Sequence, residues 1–404
     1  MGSATGEDLA GKTVVYGITG GIAAYKAPMV VRGLKSLGID VHTIMTEAAT
    51  HFVTPLTLQT VSGRAVYTEL FPELSPDAHE VEHISLADRA DLLLIAPATA
   101  DFMAKMALGL ADDLLSCVAL ATKAPILVCP SMNVNMYNHP ATRKNIETLK
   151  ERGVHFLEPA TGELACGWEG AGRLPEPPRI VAEAKRYLYQ KDLAGISVMV
   201  TCGPTCEDID PVRFITNRST GKMGAALVEA ACVRGANVKV VSGPVTTEYA
   251  PWAEVVMVRS AEQMLNAVTD GLKGADVLIM AAAVADYTPA QYRSSKIRKG
   301  DRITAVELKS TADILSTIKP LKKDSFFVGF AAETENLSDS ARQKLVTKGL
   351  DMIVANRVGE AGSGFASDTN SGLILVGSGV LDTFEHLEKE ALAHKILDYI
   401  RERV

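Results

Sequence analysis

Twice along this chain, short apolar runs bounded by turn residues alternate with segments of helical spacing, and this alternation restricts the fold more than any other feature. The first series runs Thr13 to Ile18, Ile22 to Leu37 and Val41 to Met45, then Leu92 to Ala96, Ala100 to Leu108 and Ile126 to Cys129. The second runs Ser197 to Thr201, Gly221 to Arg234 and Val238 to Val241, with further strands near Val277 to Met280, Phe327 to Phe330 and Met352 to Ala355. Strands covered by helices on both faces are apolar throughout rather than alternating. The pattern therefore predicts an α/β protein of two doubly wound, Rossmann-like parallel sheets. A chain of 404 residues is too long for one typical core and suits two. Pro175-Glu176-Pro177-Pro178 reads as a break in regular structure, and Ile180 to Tyr189 has helical spacing. The boundary is expected near 190, giving domains 1–190 and 191–404.

The formal net charge of −7 argues against general nucleic-acid binding or adhesion to an anionic membrane, which leaves small molecules as partners. The six cysteines lack Cys-x-x-Cys spacing and sit mostly in apolar segments, so neither a zinc site nor a disulfide framework is indicated. No apolar run approaches the ~20 residues that span a bilayer, and Met1 to Leu9 has no basic-then-apolar leader. A reducing cytoplasm is the expected location.

In open α/β sheets ligands bind beyond the carboxyl ends of the strands, so the turns there are the places to look for chemistry. Gly17-Ile18-Thr19-Gly20-Gly21 joins a strand to a helix, where glycine permits close approach and helix N–H groups can take a phosphate, although many such turns use glycine only to turn. Ala96-Pro97-Ala98-Thr99 ends a second strand with a hydroxyl. Pro130-Ser131-Met132-Asn133-Val134-Asn135-Met136 ends a third; proline stops the strand, and Asn133 either presents its amide to a ligand or caps the next helix. His83 is a surface or helix-start histidine, or a proton carrier. Cys166 lies in a stretch with four glycines between Thr161 and Arg173 that reads as a mobile flap, where a thiol is more accessible than in a core strand.

In the second half, Gly203-Pro204-Thr205 follows the first strand and Ser219-Thr220-Gly221-Lys222-Met223-Gly224 precedes a helix; they supply hydroxyl, backbone and ammonium donors to phosphate, although the latter alone is also a glycine-capped helix start. Asp286 ends an apolar run and is placed for nucleotide or metal contact. Lys296 belongs to a basic run, Arg293 to Lys299, whose plain reading is a solvated surface. Lys344 and Lys348 are spaced i, i+4 and so share a helix face.

The motifs Gly17 to Lys26, His83-Ile84-Ser85-Leu86, Pro130 to Met136 and Ala165-Cys166-Gly167 resemble the phosphopantothenoylcysteine decarboxylases, flavin-dependent cysteine decarboxylases. The second half resembles the phosphopantothenate-cysteine ligases through Asp210-Pro211-Val212-Arg213, Asn217 to Gly224 and Ala282 to Tyr287. Together they follow the order of the bifunctional bacterial coenzyme A enzymes over nearly the whole chain. The first resemblance implies a flavodoxin-like, homo-oligomeric half that binds FMN through Gly20, Gly21 and Thr99. It also implies that His83 serves the oxidative decarboxylation, that Asn133 holds the substrate carboxylate, and that Cys166 is the acid that protonates the enethiolate. The second implies a CTP-dependent ligase joining 4'-phosphopantothenate to cysteine through an acyl-cytidylate, with Asn217 binding that intermediate and Arg213 serving the second half-reaction. It assigns CTP contacts to Asp286, Lys296, Ala312, Asp313, Ile314, Leu315, Phe330, Lys344 and Lys348, with Asp286 also a Mg2+ ligand. The resemblance further implies trimers of the first half linked by dimers of the second, a homododecamer. Base choice is not written in any residue pattern. Two other readings are a flavin-binding regulatory protein, disfavoured by the presence of Cys166, and a nicotinamide-dependent oxidoreductase, disfavoured by the spacing of the first glycine loop.

Overall fold

The computed structural model describes residues 9–71, 82–163, 169–298, 305–333, 336–357 and 367–404. The chain divides into two compact units, Gly6–Tyr189 and Gln190–Val404.

The first unit runs β1 (Thr13–Ile18), α1 (Ala27–Ser36), β2 (Asp40–Met45), α2 (Glu47–Thr50), α3 (Pro55–Ser62), β3 (Val66–Tyr67), α4 (Glu82–Arg89), β4 (Leu92–Ala98) and α5 (Ala100–Leu108). It continues with α6 (Leu114–Ala121), β5 (Ile126–Pro130), α7 (Val134–Asn138), α8 (Pro140–Glu151), β6 (His155–Phe156), the strands β7 (Ala160–Glu163) and β8 (Glu169–Arg173), and α9 (Pro177–Leu188). Six strands form one parallel sheet in the order β3-β2-β1-β4-β5-β6. This is the Rossmann order, with its reversal between β1 and β4; a flavodoxin-like sheet runs 2-1-3-4-5, so the strand order carries the Rossmann part of the expectation. Both faces are covered, and Val15, Leu93, Ile95 and Val128 pack against Phe102, Leu115 and Ile146. Each such fully buried side chain contributes roughly 1.5–3 kcal/mol of transfer free energy.

One local expectation is corrected: Pro177 and Pro178 do not break structure but open α9, because the first turn of a helix needs no N–H and proline's fixed φ suits it. Within the glycine-rich stretch read as a flap, β7 pairs antiparallel with β8.

The second unit runs β9 (Ser197–Cys202), β10 (Cys206–Asp208), β11 (Phe214–Thr216), α10 (Lys222–Val233), β12 (Asn237–Ser242), β13 (Glu254–Met257), α11 (Ala261–Gly271), β14 (Val277–Met280), β15 (Tyr287–Pro289) and β16 (Leu308–Ser310). Then come α12 (Ile314–Ile318), β17 (Phe326–Glu333), α13 (Leu337–Lys348), β18 (Met352–Arg357), β19 (Thr369–Val376), β20 (Gly379–Glu388) and α14 (Lys389–Arg401). Its eight-stranded sheet has the order β13-β12-β9-β14-β17-β18-β19-β20. The first six are parallel and reverse between β9 and β14; β19 and β20 are antiparallel additions. α10 and α14 cover one face and α11, α12 and α13 the other. Among the described residues no helix is long and apolar enough to cross a membrane.

Candidate functional site

In the first unit the turns after β1, β4 and β5 are stitched together at the carboxyl edge of the sheet. Thr19 donates its amide and its hydroxyl to the Pro97 carbonyl (3.2 and 2.8 Å), and its Oγ1 accepts the Thr99 amide (3.0 Å). The Ser131 amide bonds the Ala98 carbonyl (3.0 Å). Gly20, Gly21, Thr99 and Asn133 therefore stand on three adjoining turns around the β1/β4 reversal. A Cβ on Gly20 would lie 2.3 Å from that of Ala48, so only glycine lets this turn lie against α2. Thr99 caps α5 by accepting the Phe102 amide (3.2 Å), and Asn133 caps α7 by accepting that of Asn135 (2.8 Å). Asn133 thus takes the helix-capping role that its turn allowed beside ligand contact, and Thr99 takes the same role at its own helix.

β8 lies against the Pro130 to Asn133 turn. The Met132 amide bonds the Gly172 carbonyl (3.0 Å), and a Cβ on Gly172 would stand 2.2 Å from the Met132 carbonyl oxygen. Cys166 lies outside the described residues. His83 is half-buried in the first turn of α4. That helix leads through Ala90 and Asp91 into the start of β4, which sets its first turn toward the carboxyl edge.

Thr46 was not singled out from the sequence. It follows β2 directly and stands at the N-cap of α2, yet its hydroxyl caps nothing. Its Oγ1 is buried and has no hydrogen-bond partner among the described residues. An orphaned buried hydroxyl beside the Gly20 turn is what a bound phosphate or hydroxyl group would satisfy, and the residues present therefore fit a flavin mononucleotide. Its only sequence signal is position: a hydroxyl one residue past a buried strand.

In the second unit a cavity of about 650 Å³ opens at the carboxyl edge of the sheet, over β14, β17 and β18. Asn217, Asp286, Ala312, Asp313, Ile314, Leu315, Phe330, Lys344 and Lys348 all line it. Asn217 donates through Nδ2 to the carbonyls of Ala283 (3.2 Å) and Val284 (2.9 Å). Lys344 pairs with Glu333 (2.6 Å) and Lys348 with Asp313. Burial acts to raise the Asp313 carboxyl, but the Lys348 ammonium and the Ser316 amide outweigh it and hold the group below the usual carboxylate range. Gly221 and Lys222 bring the amino end of α10 to the wall, and the Lys222 ammonium pairs with Asp368 (2.6 Å).

Arg213 and Lys296 are not among the lining residues. The Arg213 guanidinium pairs with Asp210 (2.8 Å) and donates to the Ile297 carbonyl (3.1 Å), while Lys296 is exposed. Conversely, Lys389, Asn370 and Asn356 line the cavity without having belonged to any motif. Lys389 is buried, and desolvation together with the Lys222 charge lowers its pKa. Among the described residues no three His, Cys, Asp or Glu side chains converge on a point where they could hold a metal ion.

Two Rossmann-type units, each with donors gathered at its strand-order reversal, define a two-domain α/β flavoprotein: residues 3–188 match the Flavoprotein family, and residues 193–404 the DNA/pantothenate metabolism flavoprotein C-terminal domain. The chain is 47% identical over 363 residues to the coenzyme A biosynthesis bifunctional protein CoaBC of Bacillus subtilis (strain 168), covering 89% of each. It is 44% identical over 399 residues to that of Escherichia coli (strain K12), covering 97% of each. It is also similar to the crystal structure of the C-terminal domain of a CoaBC protein, with 38% identity over 53% of this chain and 97% of that one and a TM-score of 0.46. The chain belongs to the family of coenzyme A biosynthesis bifunctional proteins, enzymes that join a flavoprotein decarboxylase to a ligase.

Proposed function

We propose that the second unit ligates 4'-phosphopantothenate to cysteine at the expense of CTP and that the first decarboxylates the product, phosphopantothenoylcysteine, to 4'-phosphopantetheine with FMN. The observation that carries this reading is the convergence of Asn217, Asp286, Ala312 to Leu315, Phe330, Lys344 and Lys348, drawn from separate stretches of sequence, on one cavity.

In the ligase reaction a carboxylate oxygen of phosphopantothenate attacks the α-phosphorus of CTP, and pyrophosphate leaves. The cysteine amine then attacks the acyl carbon, loses a proton, and CMP leaves. The amino end of α10 and Lys222 take the negative charge of the phosphate chain. Lys344 and Lys348 add positive charge on the opposite side of the sheet edge. Because the Asn217 Nδ2 is committed to two backbone carbonyls, its Oδ1 is the atom left for substrate. Asp286 supplies one carboxylate to a Mg2+ that arrives with the triphosphate and otherwise keeps its waters.

In the first unit Gly20, Gly21, Thr46 and Thr99 hold the flavin, which supplies a hydride acceptor and donor. Asn133 orients the substrate carboxylate, His83 exchanges a proton, and Cys166 returns one to the enethiolate. The unit exposes Ile22, Tyr25 and Met29 along one stretch beside the glycine turn, a patch suited to burial against other copies. The patch supports homo-oligomerisation; the assembly read here is a dodecamer of decarboxylase trimers joined through ligase dimers, working in the cytoplasm. Flavin absorbance of the purified chain, CTP-dependent pyrophosphate release and a light-scattering mass far above 43.0 kDa test the three parts. A colourless monomer inert toward CTP would refute the reading.

A further inference from the structure

The two ligase residues that do not line the cavity share one anchor. Asp210 sits in the turn between β10 and β11, its side chain fully buried, whereas the Arg213 side chain is 47% exposed. Both carboxylate oxygens are fully used. Oδ1 accepts the amides of Val212 (2.7 Å) and Arg213 (2.8 Å); Oδ2 accepts the Arg213 guanidinium (2.8 Å) and the amide of Ile297 (3.1 Å). Two further bonds run alongside: Arg213 Nη1 donates to the Ile297 carbonyl (3.1 Å), and the Arg293 amide to that of Ile209 (3.0 Å). The turn carrying Arg213 and the basic segment carrying Lys296, remote in sequence, thus meet on one carboxylate.

We propose that Asp210 is a positioning residue of the ligase reaction, holding Arg213 and the Lys296 segment together as one arm. The proposal rests on the reading that Arg213 and Lys296 serve ligation. Its chemistry is specific to a carboxylate, the one short side chain that offers two acceptor oxygens and no donor. An amide at this position keeps one oxygen and turns N–H groups toward the Arg213 guanidinium or the Ile297 amide. Burial acts to raise the Asp210 carboxyl, yet the three backbone amides and the Arg213 charge outweigh it and hold the group below the ordinary carboxylate range. The anchor is therefore ionised throughout the neutral range.

The test uses the full chain with Asp210→Asn, Arg213→Gln, Lys296→Gln and the two doubles that pair Asp210→Asn with each of the others. Ligation of 4'-phosphopantothenate and cysteine with CTP is followed by pyrophosphate release and by amide product, and Ile297 amide exchange by mass spectrometry. Asp210→Asn is expected to lower ligation kcat/KM by at least about tenfold, and adding Arg213→Gln or Lys296→Gln to it should cost less than about twofold more, since the arm is already released. Ile297 exchange should quicken at least about tenfold in Asp210→Asn and remain slow in Arg213→Gln, while the β14 amides stay protected in both. Losses that multiply in the doubles overturn the proposal, as does slow Ile297 exchange in Asp210→Asn. Faster exchange that includes β14 also overturns it, by showing a general loss of structure. A wild-type chain that releases no pyrophosphate overturns the ligase reading itself, and the proposal with it.

Discussion

Asn217 is held by the backbone of the segment that follows β14: its Nδ2 donates to the carbonyl of Val284 at 2.9 Å and, less directly, to that of Ala283 at 3.2 Å. A carboxylate here would set oxygen against two carbonyl oxygens. Asn217→Asp is therefore expected to lose about 2–4 kcal/mol of ligase transition-state binding, from two broken bonds and the repulsion that replaces them. Decarboxylation of supplied phosphopantothenoylcysteine should be unchanged, because that chemistry belongs to the other unit. Pyrophosphate release and CO2 release, measured on the same sample, check both halves; loss of both activities would refute the division of labour.

Thr46 provides a test of the flavin site that does not depend on turnover. Its hydroxyl has no partner among the described residues, so Thr46→Val removes nothing from the ligand-free fold. Thermal unfolding of the flavin-free protein should shift little. FMN affinity should fall by about tenfold, the worth of one hydrogen bond to a charged group. Equal flavin content in wild type and variant after dialysis would remove Thr46 from the site.

Cys166→Ser is expected to keep FMN and to release CO2, yet to leave the product two electrons short of 4'-phosphopantetheine, because the proton needed for the final reduction is missing. Mass spectrometry of the product distinguishes the two. A normal yield of phosphopantetheine would end the proton-donor assignment.

Outside the sites, Arg234 forms a buried ion-pair cluster in the second unit. Its side chain is 2% exposed and reaches Asp192 at 2.7 Å and Asp398 at 2.9 Å. Removing one partner of such a buried group leaves uncompensated charge, so Arg234→Met should cost about 3–5 kcal/mol in denaturant unfolding of the second unit. Burial acts to raise the Asp192 carboxyl, but Arg234 and Arg401 outweigh it and hold the group below its usual range. Its stabilisation is thus complete above the unfolded value near ~3.9 and is lost as pH falls through the lower folded value. Wild type should lose this contribution only below about pH 4; Asp192→Asn should flatten that part of the acid limb. Loss of the contribution at neutral pH would contradict the assignment.

The central parallel strands are legible in the sequence because both their faces are covered. Thr13–Ile18 and Val277–Met280 read as continuous apolar runs and fold with the same bounds. β20 is not legible for the converse reason: it is a sheet edge, mostly solvated, where polar and apolar residues interleave without a rule. In the site, motif residues such as Lys344 and Lys348 are found because one helix face carries both. Thr46 and Lys389 are missed because each owes its place to tertiary packing, the one against the glycine turn, the other beside Lys222. Arg213 and Lys296 are recognised as a pair of motifs, but nothing local says that a buried aspartate ties them together.

One chain carries out both reactions in sequence. The most direct test supplies the purified protein with 4'-phosphopantothenate, cysteine, CTP and Mg2+ and resolves all products by mass spectrometry over time. The expected products are CMP and pyrophosphate, transient phosphopantothenoylcysteine, and 4'-phosphopantetheine as the end product, one for each CTP consumed. Phosphopantothenoylcysteine that accumulates without ever losing CO2, or no CMP at all, would contradict it.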